Sequence, residues 1–162
     1  MSRFGCKCGN VLSNSTYPSI NIVNIYCKKD IDKAVSTNPE ITLWDWSFEA
    51  SENYEFWQCN ECGRILQESY KTLSLWYIYK KVCHESYVPM PIDNSWFEVY
   101  LISDVDLYEI NERDRELLLS NFVKIADFKY KYWFNSEQRV LQAYDKNGKF
   151  AFAYVLDMKF VN

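Results

Sequence analysis

Residues 4–12 and 57–66 read as copies of one another and carry four of the six cysteines. The first runs Phe4-Gly5-Cys6-Lys7-Cys8-Gly9-Asn10-Val11-Leu12, and the second Trp57-Gln58-Cys59-Asn60-Glu61-Cys62-Gly63-Arg64-Ile65-Leu66. Each is an aromatic residue, a spacer, Cys, a short gap, Cys-Gly, a polar residue, a branched apolar residue and Leu. This is the pattern of a zinc knuckle, a turn that closes on a metal. The glycine after the second Cys supplies the positive φ that other residues resist. Two knuckles give four thiolates, Cys6, Cys8, Cys59 and Cys62, enough to fill a tetrahedral zinc with no position left open. A closed site of this kind builds structure, so function is expected on a surface.

A chain of 162 residues reads as one domain, with residues 1–70 as a knuckle part and 71–162 as a sheet-and-helix part. The 48 % apolar content argues against disorder. Residues 20–27 are β-branched and apolar, as a strand requires, and residues 29–35 have the spacing of a short helix. Asn38-Pro39 offers a helix start, with Ile41, Trp44 and Phe48 on one side; the alternation Thr42, Trp44, Trp46, Phe48 offers a strand instead, and the reading leans to helix. Leu73, Leu75, Tyr77 and Tyr79 alternate within 71–83, and residues 96–102 form another strand. Ser103 followed by Asp104 and Asp106 is a helix start, broken near Arg113. Asp145-Lys146-Asn147-Gly148 between two alternating runs predicts a hairpin, so the end of the chain should be a three-stranded antiparallel unit. The expected class is α+β: a zinc-ribbon-like pair of Cys knuckles joined to an antiparallel sheet with one or two helices.

The net charge of −4 and the scattered lysines argue against a nucleic-acid surface, which needs a basic patch or stripe. The N-terminus carries no apolar signal region, and no run approaches membrane-spanning length. A cytoplasmic setting follows as an expectation, and there paired cysteines favour metal over disulfide. Cys27, Cys83 and His84 remain. Adjacent strand residues point to opposite faces, so Cys83 and His84 do not form a ready nucleophile–base pair. His84 is the single histidine, which removes most catalytic constellations, and the expectation is a protein that is not an enzyme.

Two acidic stretches interleave with aromatics. One holds Glu98, Asp104, Asp106, Glu109, Glu112, Asp114 and Glu116 with Tyr100 and Tyr108. The other holds Asp45, Glu49, Glu52, Glu55 and Glu61 with Trp44, Trp46, Tyr54 and Trp57. Carboxylates beside large aromatics suit recognition of a cationic protein surface, the rings anchoring and the charges steering. The plainer account is a solvated helix face, and for the second stretch, tryptophans packed over the knuckles.

The two knuckles, aromatic-x-Cys-x-Cys-Gly-Asn-Val-Leu at 4–12 and Cys-x-x-Cys-Gly-Arg at 59–64, resemble those of bacterial immunity proteins from polymorphic or contact-dependent toxin systems. That resemblance implies a protein that binds and blocks a cognate toxin domain, often a basic nuclease, with a structural zinc on Cys6, Cys8, Cys59 and Cys62. Contact residues differ between such pairs and are not carried over. From charge and aromatics, Glu98, Asp104, Asp106, Tyr108 and Glu109 are the candidate partner-binding residues. A zinc-ribbon nucleic-acid or transcription accessory protein is the alternative, because Lys7 and Arg64 sit on the knuckles. A third reading, an enzyme working from Cys83-His84, would need an unusually reactive thiol.

Overall fold

The computed structural model describes residues 3–50, 55–68, 75–126 and 128–161. Two short strands, β1 (Arg3–Gly5) and β2 (Val11–Ser13), form a separate antiparallel hairpin. The other eight strands close into a barrel: β3 (Ile22–Cys27), β4 (Glu55–Gln58), β5 (Ile65–Glu68), β6 (Leu75–Cys83), β7 (Phe97–Ser103), β8 (Lys131–Asn135), β9 (Val140–Tyr144) and β10 (Phe150–Val161). The ring order shows two consecutive meanders, β3 to β6 and β7 to β10, each strand antiparallel to its neighbours. Pairing of β3 with β7 and of β6 with β10 closes the ring.

The expected class therefore holds as α+β with antiparallel strands, but the sheet is closed rather than open and, among the described residues, four helices accompany it. These are α1 (Lys28–Thr37), α2 (Leu43–Ala50), α3 (Asp104–Arg113) and α4 (Leu119–Ile125). Closure leaves no sheet edge unpaired within the ring, and an eight-stranded barrel is just wide enough for side chains to fill it. Here Val23, Ile25, Phe56, Ile65, Tyr79, Val99, Leu141, Ala143, Phe152 and Tyr154 fill the interior.

Three coverings bury much of the outer wall. The helices pack Ile31, Leu43, Trp46, Leu107, Leu119 and Phe122 onto Tyr26, Tyr100 and Ile102. The β1–β2 hairpin packs Phe4 and Leu12 onto Ile22, Trp57, Leu66, Trp76 and Ile78. The segment before β7 lays Tyr87, Met90 and Trp96 over Val140, Ala153 and Val155. Most barrel strands are thus buried on both faces.

Local signals explain the helix starts. The Ser103 hydroxyl accepts from the Asp106 backbone N–H, 3.0 Å, and donates to its carboxylate, 2.6 Å. The weak preference for helix after Asn38 is met, but with a different start. Asn38 caps the end of α1, and Thr42 begins α2 by accepting from the Asp45 N–H, 3.2 Å. The buried side is Leu43 and Trp46. Trp44 and Phe48 face outward, stacked edge-on, with the Arg115 guanidinium over Trp44. At the last hairpin the Asp145 carboxylate accepts from the N–H groups of Asn147 and Lys149. The expected strand over 71–83 is described from Leu75, and Leu73 lies outside the described residues, as do Glu52 and Tyr54. Among the described residues no helix is long and apolar enough to cross a membrane.

Candidate metal centre

Both knuckles are hairpin loops. Gly5 pairs with Val11 across the first, and Gln58 with Ile65 across the second. Within each loop the leading Cys closes the turn twice. Cys6 N–H donates to Asn10 C=O at 2.7 Å, and Gly9 N–H to Cys6 C=O at 2.8 Å. Cys59 N–H donates to Arg64 C=O at 2.9 Å, and Gly63 N–H to Cys59 C=O at 2.8 Å. Gly9 and Gly63 have φ of 95° and 69°, the conformation that the glycine of each copy was expected to supply. One residue fewer in the first loop does not prevent convergence.

The four sulfurs meet between the two loops. Cys6 Sγ lies 3.5 Å from Cys62 Sγ, Cys8 Sγ lies 3.6 Å from Cys59 Sγ, and all four lie within 4.8 Å of one another. A tetrahedral ion with metal–sulfur bonds of about 2.3 Å spaces its sulfurs about 3.8 Å apart. The donor set and its spacing therefore fit a four-coordinate metal, and the cluster is a candidate metal site as the spacing predicted. Cys6 and Cys59 are buried, while Cys8 is exposed. Beneath them Phe4 stacks on Trp76 at 4.6 Å, and Trp57 meets Trp76 edge-on.

The surroundings favour negative sulfur in the second knuckle. Burial opposes ionisation of Cys62, but the Arg64 backbone N–H and guanidinium and the adjacent thiols outweigh it and bring the group down to about 6. Burial likewise opposes ionisation of Cys59, yet the Cys62 N–H, the Asn10 amide and the Glu61 N–H lower it. Burial dominates at Cys6 and pushes it up to about 12. The loop thus offers thiolate first from the second knuckle, and a bound cation would draw the remaining protons off.

A residue that sequence reasoning missed holds the centre to the barrel. β10 carries a bulge against β6: Leu156 pairs with Tyr79 and Met158 with Ile78. The extra residue, Asp157, turns its carboxylate to Arg64 at 3.5 Å, Lys7 at 3.7 Å and Lys80 at 3.8 Å. One strand residue thereby gathers a cation from each knuckle. Nothing in the sequence around Asp157 marks a bulge. Asn10 Nδ2, 3.7 Å from Cys59 Sγ, adds a donor from the first loop to a sulfur of the second. Asn21 also joins the two hairpins, accepting from Ser13 N–H and donating to Gln58 C=O.

The remaining candidate residues do not form one patch. Glu98 on β7 pairs with Lys131 at 3.3 Å. Asp104 and Tyr108 share one side of α3, where Asp104 accepts from Ser19 N–H at 2.7 Å and Tyr108 meets Tyr17 edge-on. Asp106 and Glu109 lie on another side, lining a cavity of about 470 Å³ with Arg113, Lys129, Tyr130 and Tyr132. Trp57 packs beneath the knuckle as the plainer account supposed, whereas Trp46 packs against Tyr26. Cys83 and His84 are exposed at the end of β6, and Cys27 is half-buried at the start of α1.

No curated protein and no solved structure matches the chain. The family model for a domain of unknown function, DUF8617, matches residues 2–89. That stretch carries the β1–β2 hairpin, all four clustered cysteines and the complete first meander of the barrel. With the match spanning a little over half of its length, the chain belongs to the DUF8617 family.

Proposed function

We propose that this chain is an immunity-type protein of bacteria, which binds and neutralises a cognate toxin domain and keeps its shape with a structural zinc. The observation that carries the reading is the saturation of the metal site. The four clustered thiols would fill a tetrahedral ion and leave it no open position, and the Arg64–Asp157 pair lies beside them. Zinc suits four sulfurs better than the hard cations, which prefer oxygen. Activity then has to come from a surface, and the exposed acid Glu109 on α3 offers a charge that complements a basic toxin. The nucleic-acid alternative drew on Lys7 and Arg64, but both are turned to Asp157.

The test is co-expression with the C-terminal domain of a large secreted protein encoded beside this gene. The expected result is rescue of growth and a stable complex on gel filtration, with association slowing as salt rises. Glu109→Lys should slow association about tenfold at low salt while leaving the fold intact, because Glu109 is exposed and caps nothing. Growth arrest despite full expression of both proteins would overturn the reading. Retention on heparin with steep salt release would point to nucleic acid instead.

A further inference from the structure

A cavity of about 310 Å³ opens between the 14–19 loop, the end of α2 and the start of α3. Its wall contains Asp104, Glu55 and the buried polar side chains of Asn24, Asn111 and Ser47, and among the described residues that line it there is no lysine, arginine or histidine. Asn111 is only 4 % exposed. Its Nδ2 donates to Ser47 Oγ at 3.3 Å, and its Oδ1 has no hydrogen-bond partner among the described residues. A buried carbonyl without a donor is costly unless something arrives to meet it. Asp104 is fixed in place by Ser19 N–H and Asn24 Nδ2, so its charge is preorganised. The local field is negative: burial first, and then the Asp104 charge, hold the neighbouring Tyr26 phenol well above its ordinary value. At the rim Tyr17 is 70 % exposed although it lies against Tyr108.

We infer that this cavity receives one cationic side chain, an arginine or lysine, presented by a protein partner. Acceptors and carboxylates line it, an unmet carbonyl belongs to its wall, and an exposed aromatic stands at its mouth, as at interface hot spots. Its volume is near the lower limit for pockets that take whole drug-sized molecules, about 300–1,000 Å³, and suits a single long side chain. The inference rests on the neutralisation reading only for the presenter, a basic toxin domain; the cavity's preference for a cation stands apart from it.

The test uses the full, isotope-labelled chain and needs no partner. N-acetyl-arginine methylamide is titrated while backbone and side-chain amide resonances are followed, with the uncharged citrulline analogue as comparison. The expected result is a saturable shift of the Asn111 side-chain amide and of the Ser19 and Asn24 N–H groups. The citrulline compound should bind at least tenfold more weakly. Asp104→Asn, which keeps an acceptor for Ser19, should weaken arginine binding at least fivefold. Equal response to both compounds, no saturable shift, or shifts centred on Asp106 and Glu109 would overturn the inference, and each of these is read on the unmutated protein. A cavity that selects arginine in a protein that captures no toxin would sink the neutralisation reading alone. Toxin captured by a protein whose cavity ignores the cation would sink this inference alone.

Discussion

Arg64 Nε sits 3.5 Å from Asp157 Oδ2, so a residue of the second knuckle is tied to the bulge of the last strand. The same carboxylate reaches Lys7 of the first knuckle. The metal centre is therefore supported from below by an acid contributed from the opposite end of the chain. Asp157→Ala is expected to lower stability by about 1–3 kcal/mol, because it leaves the buried Arg64 Nε without its ion-pair partner, measured by urea unfolding. Lys7→Ala should change it by no more than about 0.5 kcal/mol, because its ammonium is half-exposed and screened. Equal effects of the two would remove Asp157 from its supporting role.

Six cysteines divide into four that converge and two that stand apart. Protein loaded with zinc should show two thiols open to a disulfide reagent, Cys83 quickly and half-buried Cys27 slowly. All six should react once a chelator and denaturant are present. Metal analysis should give one zinc per chain, falling to none in Cys59→Ser. Chelation should also red-shift tryptophan emission, because Trp57 and Trp76 lie under the hairpin that a bound metal would hold. A loaded protein with six fast thiols would show that no ion is gripped there.

The barrel interior makes the fold sensitive to alkali. Burial is the main cause that pushes Tyr79 up to about 12, partly offset by Arg139, and burial also raises Tyr132 and Tyr154. A folded pKa above the unfolded value of 10.0 means that the fold favours the neutral phenol. That stability is whole below pH 10 and declines as pH rises toward 12. Absorbance titration should find these phenols silent near pH 10, then ionising together with loss of structure. Phenol ionisation complete by pH 10.5 in the folded protein would contradict the packing.

Gln142 is fully buried on the outer side of β9 and holds the 84–95 segment in place. Its Nε2 donates to Met90 C=O and Tyr144 Oη, both at 3.0 Å, and its Oε1 accepts from Met90 N–H at 2.6 Å and Tyr87 O–H at 2.8 Å. Gln142→Leu strands both Met90 backbone groups and should cost about 1–3 kcal/mol. Limited proteolysis should then cut first within 84–95. Unchanged cleavage would mean that Trp96 and Tyr87 hold the segment by packing alone.

The local grammar of the chain was legible where one residue type does one job. Cys-Gly pairs marked both loops, Ser103 marked the start of α3, and Asn147-Gly148 marked the last turn. The ring was not legible, because its strands are buried on both faces. Ile78 packs outward under the hairpin while Tyr79 fills the interior, so alternation between apolar and polar residues is lost. Bulges hid the rest. Phe150 reads in phase with Phe152 and Tyr154, but a register shift between Phe150 and Phe152 sends Phe150 out against Tyr87. The acidic residues carry a second, local use. Asp104 accepts from the Ser19 N–H and Asp106 from the Ser103 hydroxyl, local uses that charge counting does not reveal.

The ring is made of two successive halves, and the family match covers the first of them together with the metal loops. A message stopped near codon 89 would yield a half-cylinder whose outermost strands, β3 and β6, have lost β7 and β10. Such a product would keep all four clustered cysteines, yet it would expose two lines of unsatisfied amides and recruit further copies of itself edge to edge. Supplying the missing half in trans should cure that stickiness.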